Sequence, residues 1–276
     1  MNGRLRLALV QLTSGIDAAA NAASVAEALR RAAGEGAQIA FTPEMTGLLD
    51  RDRVRLMAGA VGEAEEPTLA AARAVAADTG MWVQLGSLAI RPSADAERLV
   101  NRAFVIDGAG AIVARYDKIH LFDVDLGERE RYRESATFAP GDRAVVAPTP
   151  WGQLALSICY DVRFPELYRA LAQAAPTMIA VPAAFTRPTG EAHWHTLLRA
   201  RAIEAGAYVI AAAQSGEHED GRETYGHSLV IDPWGRVVVD MGEGAGVRVV
   251  EIDLGEVEAT RARLPTLAHQ RRFGGP

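Results

Sequence analysis

The 276-residue chain contains one cysteine and one lysine, and each stands where a strand runs out. Cys159 follows the apolar run Leu154-Ala-Leu-Ser-Ile158. The next segment, Tyr160-Asp-Val-Arg-Phe164, turns into a helix with Pro165 at its first position, where a missing N–H is harmless. A thiol at a strand-to-helix turn is presented at the end of a sheet beside free backbone amides, as a nucleophile requires; a lone cysteine by itself is equally an inert core residue. Lys118, in Tyr116-Asp-Lys-Ile-His120, is the one lysine among 29 basic residues, the others being arginine. It marks a position that needs a compact ammonium rather than a guanidinium fork, unless it is an accident of composition. Glu44, in Phe41-Thr-Pro-Glu-Met45, leaves a strand at the end where open α/β sheets build their sites. Base, cation for a developing oxyanion and nucleophile make a complete acyl-transfer set. The residues alone leave the base open, since His120, His193 or His227 could also take the thiol proton. They leave open, too, a binding or regulatory module with an idle site.

Apolar periodicity supplies elements to hold these groups. Strand Arg4–Leu12 precedes a helix marked by Val25, Ala28, Leu29 and Ala32, then strand Gln38–Phe41 and helix Glu65–Asp78. Strands follow at Met81–Leu88, Leu99–Ile106 and Ala111–Tyr116, the last two joined by an Asp107–Gly108 turn. The charged stretch Asp123–Asp142 is too long for a simple connection and is expected to be functional. The second half repeats the rhythm with strand Gln153–Ile158, helix Pro165–Ala174, strand Thr177–Val181, helix Glu191–Glu204 and strand Tyr208–Ala213. Strands His227–Ile231 and Val237–Asp240 flank the turn Asp232-Pro-Trp-Gly235, and strand Val247–Ile252 and helix Glu256–Arg263 close the chain. The pattern predicts one layered α/β domain over residues 1–276, with an extended tail from about 265 to 276.

Composition narrows the function classes. Hydrophobic residues at 49% and charged residues at 23% describe a globular chain, and a net charge of −6 argues against a nucleic-acid-binding face. The two charge-free runs Ala144–Tyr160 and Ala170–Thr186 contain prolines and are short for a membrane span. The apolar block Leu7–Val10 is too short for a signal-peptide core, so a cytoplasmic protein is expected. One cysteine excludes an intramolecular disulfide and a multi-thiolate metal centre.

Thr42-Pro-Glu-Met45, Tyr116-Asp-Lys-Ile-His-Leu-Phe122 and Ile158-Cys-Tyr-Asp-Val-Arg-Phe-Pro-Glu166 together resemble the three catalytic motifs of the nitrilase superfamily of carbon–nitrogen hydrolases. The likeness extends over essentially the whole chain. It implies an α-β-β-α sandwich and a catalytic triad of Glu44 as base, Lys118 as oxyanion cation and Cys159 as nucleophile, with a thioester intermediate. It also implies support from Glu134, which would orient the lysine and the substrate, and from the Tyr160 backbone amide. No metal or organic cofactor is implied; the partners would be a small-molecule amide and further copies of the chain, in a homodimer or larger assembly. Tyr160-Asp161 after the thiol resembles the amidase branches rather than the nitrile-cleaving ones. Pro182-Ala-Ala-Phe-Thr186, Ala211-Ala-Ala-Gln214 and Tyr225-Gly-His-Ser228 resemble the branch containing deaminated glutathione amidase and ω-amidase, the former more. This implies a small acidic substrate beside Phe185 and Thr186, with 2-oxoglutaramate or an N-carbamoyl amino acid as alternatives.

Arg163, four residues after the thiol, is suited either to a substrate carboxylate or to an ion pair with Glu166 or another acid. His193 and His195 are two apart on a helix and cannot share a metal. His218-Glu-Asp220 reads as a solvated loop and Trp234 as a structural plug in its turn.

Overall fold

In the computed structural model, which describes residues 3–125 and 131–275, two six-stranded sheets carry the chain. The first half lays down β1 (Arg4–Gln11), β2 (Ile39–Phe41), β3 (Trp82–Ile90), β4 (Val100–Ile106) and β5 (Ile112–Asp117). Helices α1 (Ala18–Gly34), α2 (Arg53–Gly59) and α3 (Pro67–Thr79) interrupt them. A short hairpin of β6 (Asp123–Asp125) and β7 (Arg131–Arg133) leads into the second half. There β8 (Val145–Thr149), β9 (Gly152–Leu156), β10 (Met178–Ala180) and β11 (Tyr208–Ala211) alternate with α4 (Pro165–Ala172) and α5 (Arg187–Ala205). A second hairpin, β12 (Ser215–Glu217) and β13 (Glu223–Tyr225), precedes β14 (Leu229–Ile231), β15 (Val237–Asp240), β16 (Gly246–Asp253) and α6 (Gly255–Arg263).

One sheet runs β16, β1, β2, β3, β4, β5 and the other β15, β14, β11, β10, β9, β8. In each, three parallel strands (β1 to β3, and β9 to β11) are flanked by antiparallel ones. Strand alternation sorts the layers. Leu5, Leu7 and Leu9 of β1 pack in one buried cluster with the second sheet, whereas Ala8 and Val10 face Val25 and Leu29 of α1 and Leu69 and Val75 of α3. On the far side Leu171 of α4 and Trp194 and Leu198 of α5 cover the second sheet. Each large apolar side chain so buried contributes roughly 1.5–3 kcal/mol. The order is the expected α-β-β-α sandwich.

Capping explains where the outer helices begin. The Asp17 carboxylate accepts from the Ala19 and Ala20 amides to start α1. Glu66 caps α3 ahead of Pro67, and Gly80 ends it in the left-handed region at φ 74°.

Several expectations need correction. Helix α2 and edge strand β8 were not foreseen, and α5 begins at Arg187 rather than Glu191. The strand expected from His227 starts at Leu229, because His227 itself sits at φ 53°. His218 is not solvated: it is 5% exposed, its Nδ1 donating to the Ser14 carbonyl at 2.8 Å and its Nε2 accepting from the Thr224 hydroxyl at 2.7 Å. Trp234 is 45% exposed with the Arg263 guanidinium over its ring, so it plugs nothing. Of the tail expected to be extended, the Ala268 and His269 amides instead turn back onto the Pro265 carbonyl, and Leu267 packs on the core. Within the charged stretch Asp123–Asp142, residues 126–130 lie outside the described residues.

Candidate active site

The first carboxylate is held by a turn that β3 makes room for. Thr42–Glu44 leave the end of β2 and cross a bulge in β3, where the register shifts between Leu85 and Leu88. A Cβ at Gly86 would stand 2.1 Å from the carbonyl oxygens of both Thr42 and Pro43, so only glycine permits this approach. The bulge lets Ser87 Oγ accept from the Met45 amide at 3.0 Å, while the Gln214 side chain donates to the Glu44 carbonyl at 3.0 Å. Glu44 is thereby fixed at both ends and lies 4% exposed.

Lys118 follows β5, its backbone amide donating to the Asn101 carbonyl of β4 at 2.9 Å. Its Nζ is 2.8 Å from Glu44 Oε1 and 3.0 and 2.9 Å from the two oxygens of Glu134. One N–H can bridge both Glu134 oxygens, which leaves a hydrogen for the cavity. Cys159 opens a short 3₁₀ turn, Cys159–Arg163, at the end of β9, with φ 49° and its own amide donating to the Pro182 carbonyl at 2.9 Å. A non-glycine residue in the left-handed region is strained, as a nucleophile at a tight elbow often is.

The charges of the three groups are set by one another. Burial raises the Glu44 carboxyl, but the Lys118 ammonium and hydrogen bonds from Cys159, Lys118 and Asn101 more than offset it, and the net shift is downward. Burial pulls Lys118 down, yet Glu134 and Glu44 hold it well above its ordinary value. Burial and the neighbouring Glu44 push the Cys159 thiol well up, against the opposing pull of Lys118. The resting site is therefore carboxylate, ammonium and thiol, with the thiol beside the carboxylate that would take its proton.

These groups line a cavity of about 310 Å³, together with Glu134, Tyr160, Phe185 and Thr186. Arg163 does not line it. Its guanidinium lies behind the Tyr160 and Phe185 rings, 5.9 and 5.3 Å from their centroids, and meets His193 Nδ1 at 3.2 Å rather than Glu166. The mouth has other cations that sequence reasoning missed: Arg51, Arg53, Arg131, Arg133 and Arg222. Asn101 was missed as well; its Nδ2 donates to Glu44 Oε1 at 2.9 Å and to Glu134 Oε1 at 3.3 Å. The available signal was one amide inside the apolar strand Val100–Ile106. None of His120, His193 and His227 lines the cavity. His120 Nδ1 is 2.7 Å from Asp161, and His227 Nδ1 is 2.9 Å from Asp240.

The carbon–nitrogen hydrolase family model matches residues 6–262. Deaminated glutathione amidase of Yersinia enterocolitica is 38% identical over 266 residues, 96% of this chain and 92% of that protein. The Homo sapiens protein of the same name is 40% identical over 273 residues, covering 96% and 82%. Among solved structures, the Caenorhabditis elegans NitFhit protein superposes with a TM-score of 0.90 at 37% identity, over 98% of this chain and 66% of that longer one. An amidase from Nesterenkonia sp. AN1 superposes with a TM-score of 0.78 at 30% identity, over 95% of each chain; a glutamate-to-glutamine variant of it carries the acetamide moiety of fluoroacetamide on its active-site cysteine. Among the described residues no helix is long and apolar enough to cross a membrane. The chain thus belongs to the carbon–nitrogen hydrolase family, in the nitrilase superfamily, and is an amide-hydrolysing enzyme.

Proposed function

We propose that the enzyme hydrolyses a small amide bearing a carboxylate away from the scissile bond, deaminated glutathione being the first candidate, through a thioester on Cys159. The observation that carries this reading is the meeting of Glu44, Lys118 and Cys159 in one cavity with an arginine-lined mouth. The names of the relatives support the substrate.

Glu44 takes the thiol proton as Sγ attacks the amide carbonyl, because a thiol held above its ordinary value needs a base at the moment of attack. The oxyanion is held by the free Lys118 N–H and by the Tyr160 backbone amide. Collapse breaks the C–N bond, and Glu44 returns the proton to the departing amine. A water, deprotonated by Glu44, then attacks the thioester; C–S cleavage restores the thiol and releases the acid. Glu134 fixes the lysine by accepting one of its N–H groups between both carboxylate oxygens.

Acid-quenching the wild-type enzyme during turnover of deaminated glutathione and weighing the intact protein tests the scheme. One acyl adduct mapped to Cys159 is expected, and Glu44→Gln should lose turnover. Turnover retained in Cys159→Ala or in Glu44→Gln would refute it.

A further inference from the structure

A second group of chemically able side chains lies outside the cavity, on the outer edge of the second sheet. His195 projects from α5, His227 lies two residues before β14, and Asp240 ends β15. His195 Nε2 is 3.0 Å from Asp240 Oδ2, and His227 Nδ1 is 2.9 and 3.1 Å from Asp240 Oδ1 and Oδ2. One ligand atom from each of the three lies within 4.8 Å of the others; among the described residues no other group of three histidine, cysteine or acidic side chains meets that spacing. All three side chains are partly exposed, so solvent reaches the point on which they converge.

The ring of His227 is aimed there by its backbone. The residue adopts φ 53°, its amide donates to the Gly242 carbonyl at 2.7 Å, and its carbonyl accepts from Trp194 Nε1 at 2.9 Å. Tyr225 stacks on the imidazole with ring centroids 4.3 Å apart. Asp240 is steadied in turn by the Gly242 amide, 2.9 Å from Oδ1. His193, two residues before His195, faces Arg163 instead and takes no part.

Two imidazoles and a carboxylate with room for water form the donor set of an open zinc site. In tetrahedral zinc geometry the ligand atoms stand about 3.3–3.5 Å apart, so the two imidazole–carboxylate edges need open by only a few tenths of an ångström. We propose that His195 Nε2, His227 Nδ1 and one Asp240 oxygen bind a divalent transition ion, zinc foremost, with water completing the sphere. The imidazoles coordinate as neutral rings, His195 protonated on Nδ1 and His227 on Nε2. The ion would clamp α5, whose first turns supply Thr189 to the cavity wall, to the β14–β15 ribbon.

The test is calorimetric titration of metal-stripped, full-length Cys159→Ala protein with Zn²⁺, the substitution removing the competing thiol. One ion per chain with micromolar or tighter Kd is expected, undisturbed by excess Mg²⁺. His195→Gln should weaken binding at least about 100-fold, beyond what loss of a supporting hydrogen bond costs, and His193→Gln should not. Asp240→Asn, at an exposed position, repeats the readout should His195→Gln fail to fold by circular dichroism. Co²⁺ in place of Zn²⁺ should give the visible spectrum of a four-coordinate nitrogen and oxygen site. Absence of uptake would show a proton-sharing network only and overturn the proposal. So would uptake insensitive to His195→Gln and Asp240→Asn, or uptake by the parent chain that disappears in Cys159→Ala.

Discussion

The Tyr116 hydroxyl donates to Asp161 Oδ2 at 2.7 Å, joining the strand that carries Lys118 to the turn that carries Cys159. The same carboxylate accepts from the Ile158 and His120 amides at 2.9 and 3.0 Å and meets His120 Nδ1 at 2.7 Å. Burial and the adjacent Asp161 push the Tyr116 phenol far up, which keeps it the donor of this pair. Asp161→Asn replaces an acceptor oxygen by an N–H facing donors. It should destabilise the fold by about 1–3 kcal/mol and lower kcat roughly 10–100-fold through misplacement of the thiol against the lysine. Thermal melts and steady-state kinetics check both; wild-type kcat in a folded Asp161→Asn protein would count against this coupling.

Lys118→Arg should cost on the order of 10²–10³ in kcat, or about 3–4 kcal/mol of transition-state stabilisation. The charge is preserved, but Nζ is enclosed between Glu44 and Glu134 and the side chain is 2% exposed, so the broader guanidinium fork must intrude on the carbonyl's place. Turnover assays on protein shown to be folded by circular dichroism decide the matter. Near wild-type activity would mean the lone lysine serves only as a cation.

Substrate selection should respond to the mouth arginines and not to Arg163. Arg51→Ala and Arg53→Ala each remove an exposed cation from the cavity rim without emptying the core. KM for a carboxylate-bearing amide should rise about tenfold, the scale of one charge-assisted hydrogen bond. KM for a neutral amide such as propionamide should stay put. Arg163→Lys, behind Tyr160 and Phe185, should change the two substrates alike. Equal losses on both substrates in the rim variants would remove these arginines from recognition.

His218 predicts a stability profile. Burial lowers its value below the ordinary 6.5, outweighing the hydrogen bond to the Ser14 carbonyl, which acts to raise it. The unfolded chain then binds more protons than the folded one below that value, so stability is complete above it and declines as pH falls through it. Tm should drop on moving from neutral to mildly acidic buffer, and His218→Gln should flatten that part of the curve. A parallel drop in the variant would assign the effect to other groups.

The grouping of Glu44, Lys118 and Cys159 in one cavity was legible because all three sit at strand ends, where composition, turn chemistry and motif coincide. Asn101 was not: it is a polar residue within strand periodicity, and only the facing of β4 against Glu44 and Glu134 gives it meaning. The mouth arginines come from separate segments, the turn before α2 and its first residue, strand β7 and the β12–β13 hairpin, and no local pattern links them. His218 was misread because a polar, glycine-flanked run looks solvated until its hairpin folds over Ser14. Arg163 was misplaced for the opposite reason, nearness to the thiol in sequence, although its side chain leaves the turn on the side of His193.

Glu44 and Lys118 follow strands β2 and β5 of one sheet, and Cys159 follows β9 of the other. The groups proposed to react therefore meet across the seam between two hydrogen-bonded ladders rather than within either. A slip of one layer over the other by about 1 Å would leave both ladders whole, yet misplacement on that scale can cost about 10²-fold in rate. On the proposed mechanism, catalysis is a measure of how two slabs are registered. Turnover can fail while secondary structure, and most of the core on either side of the seam, persists.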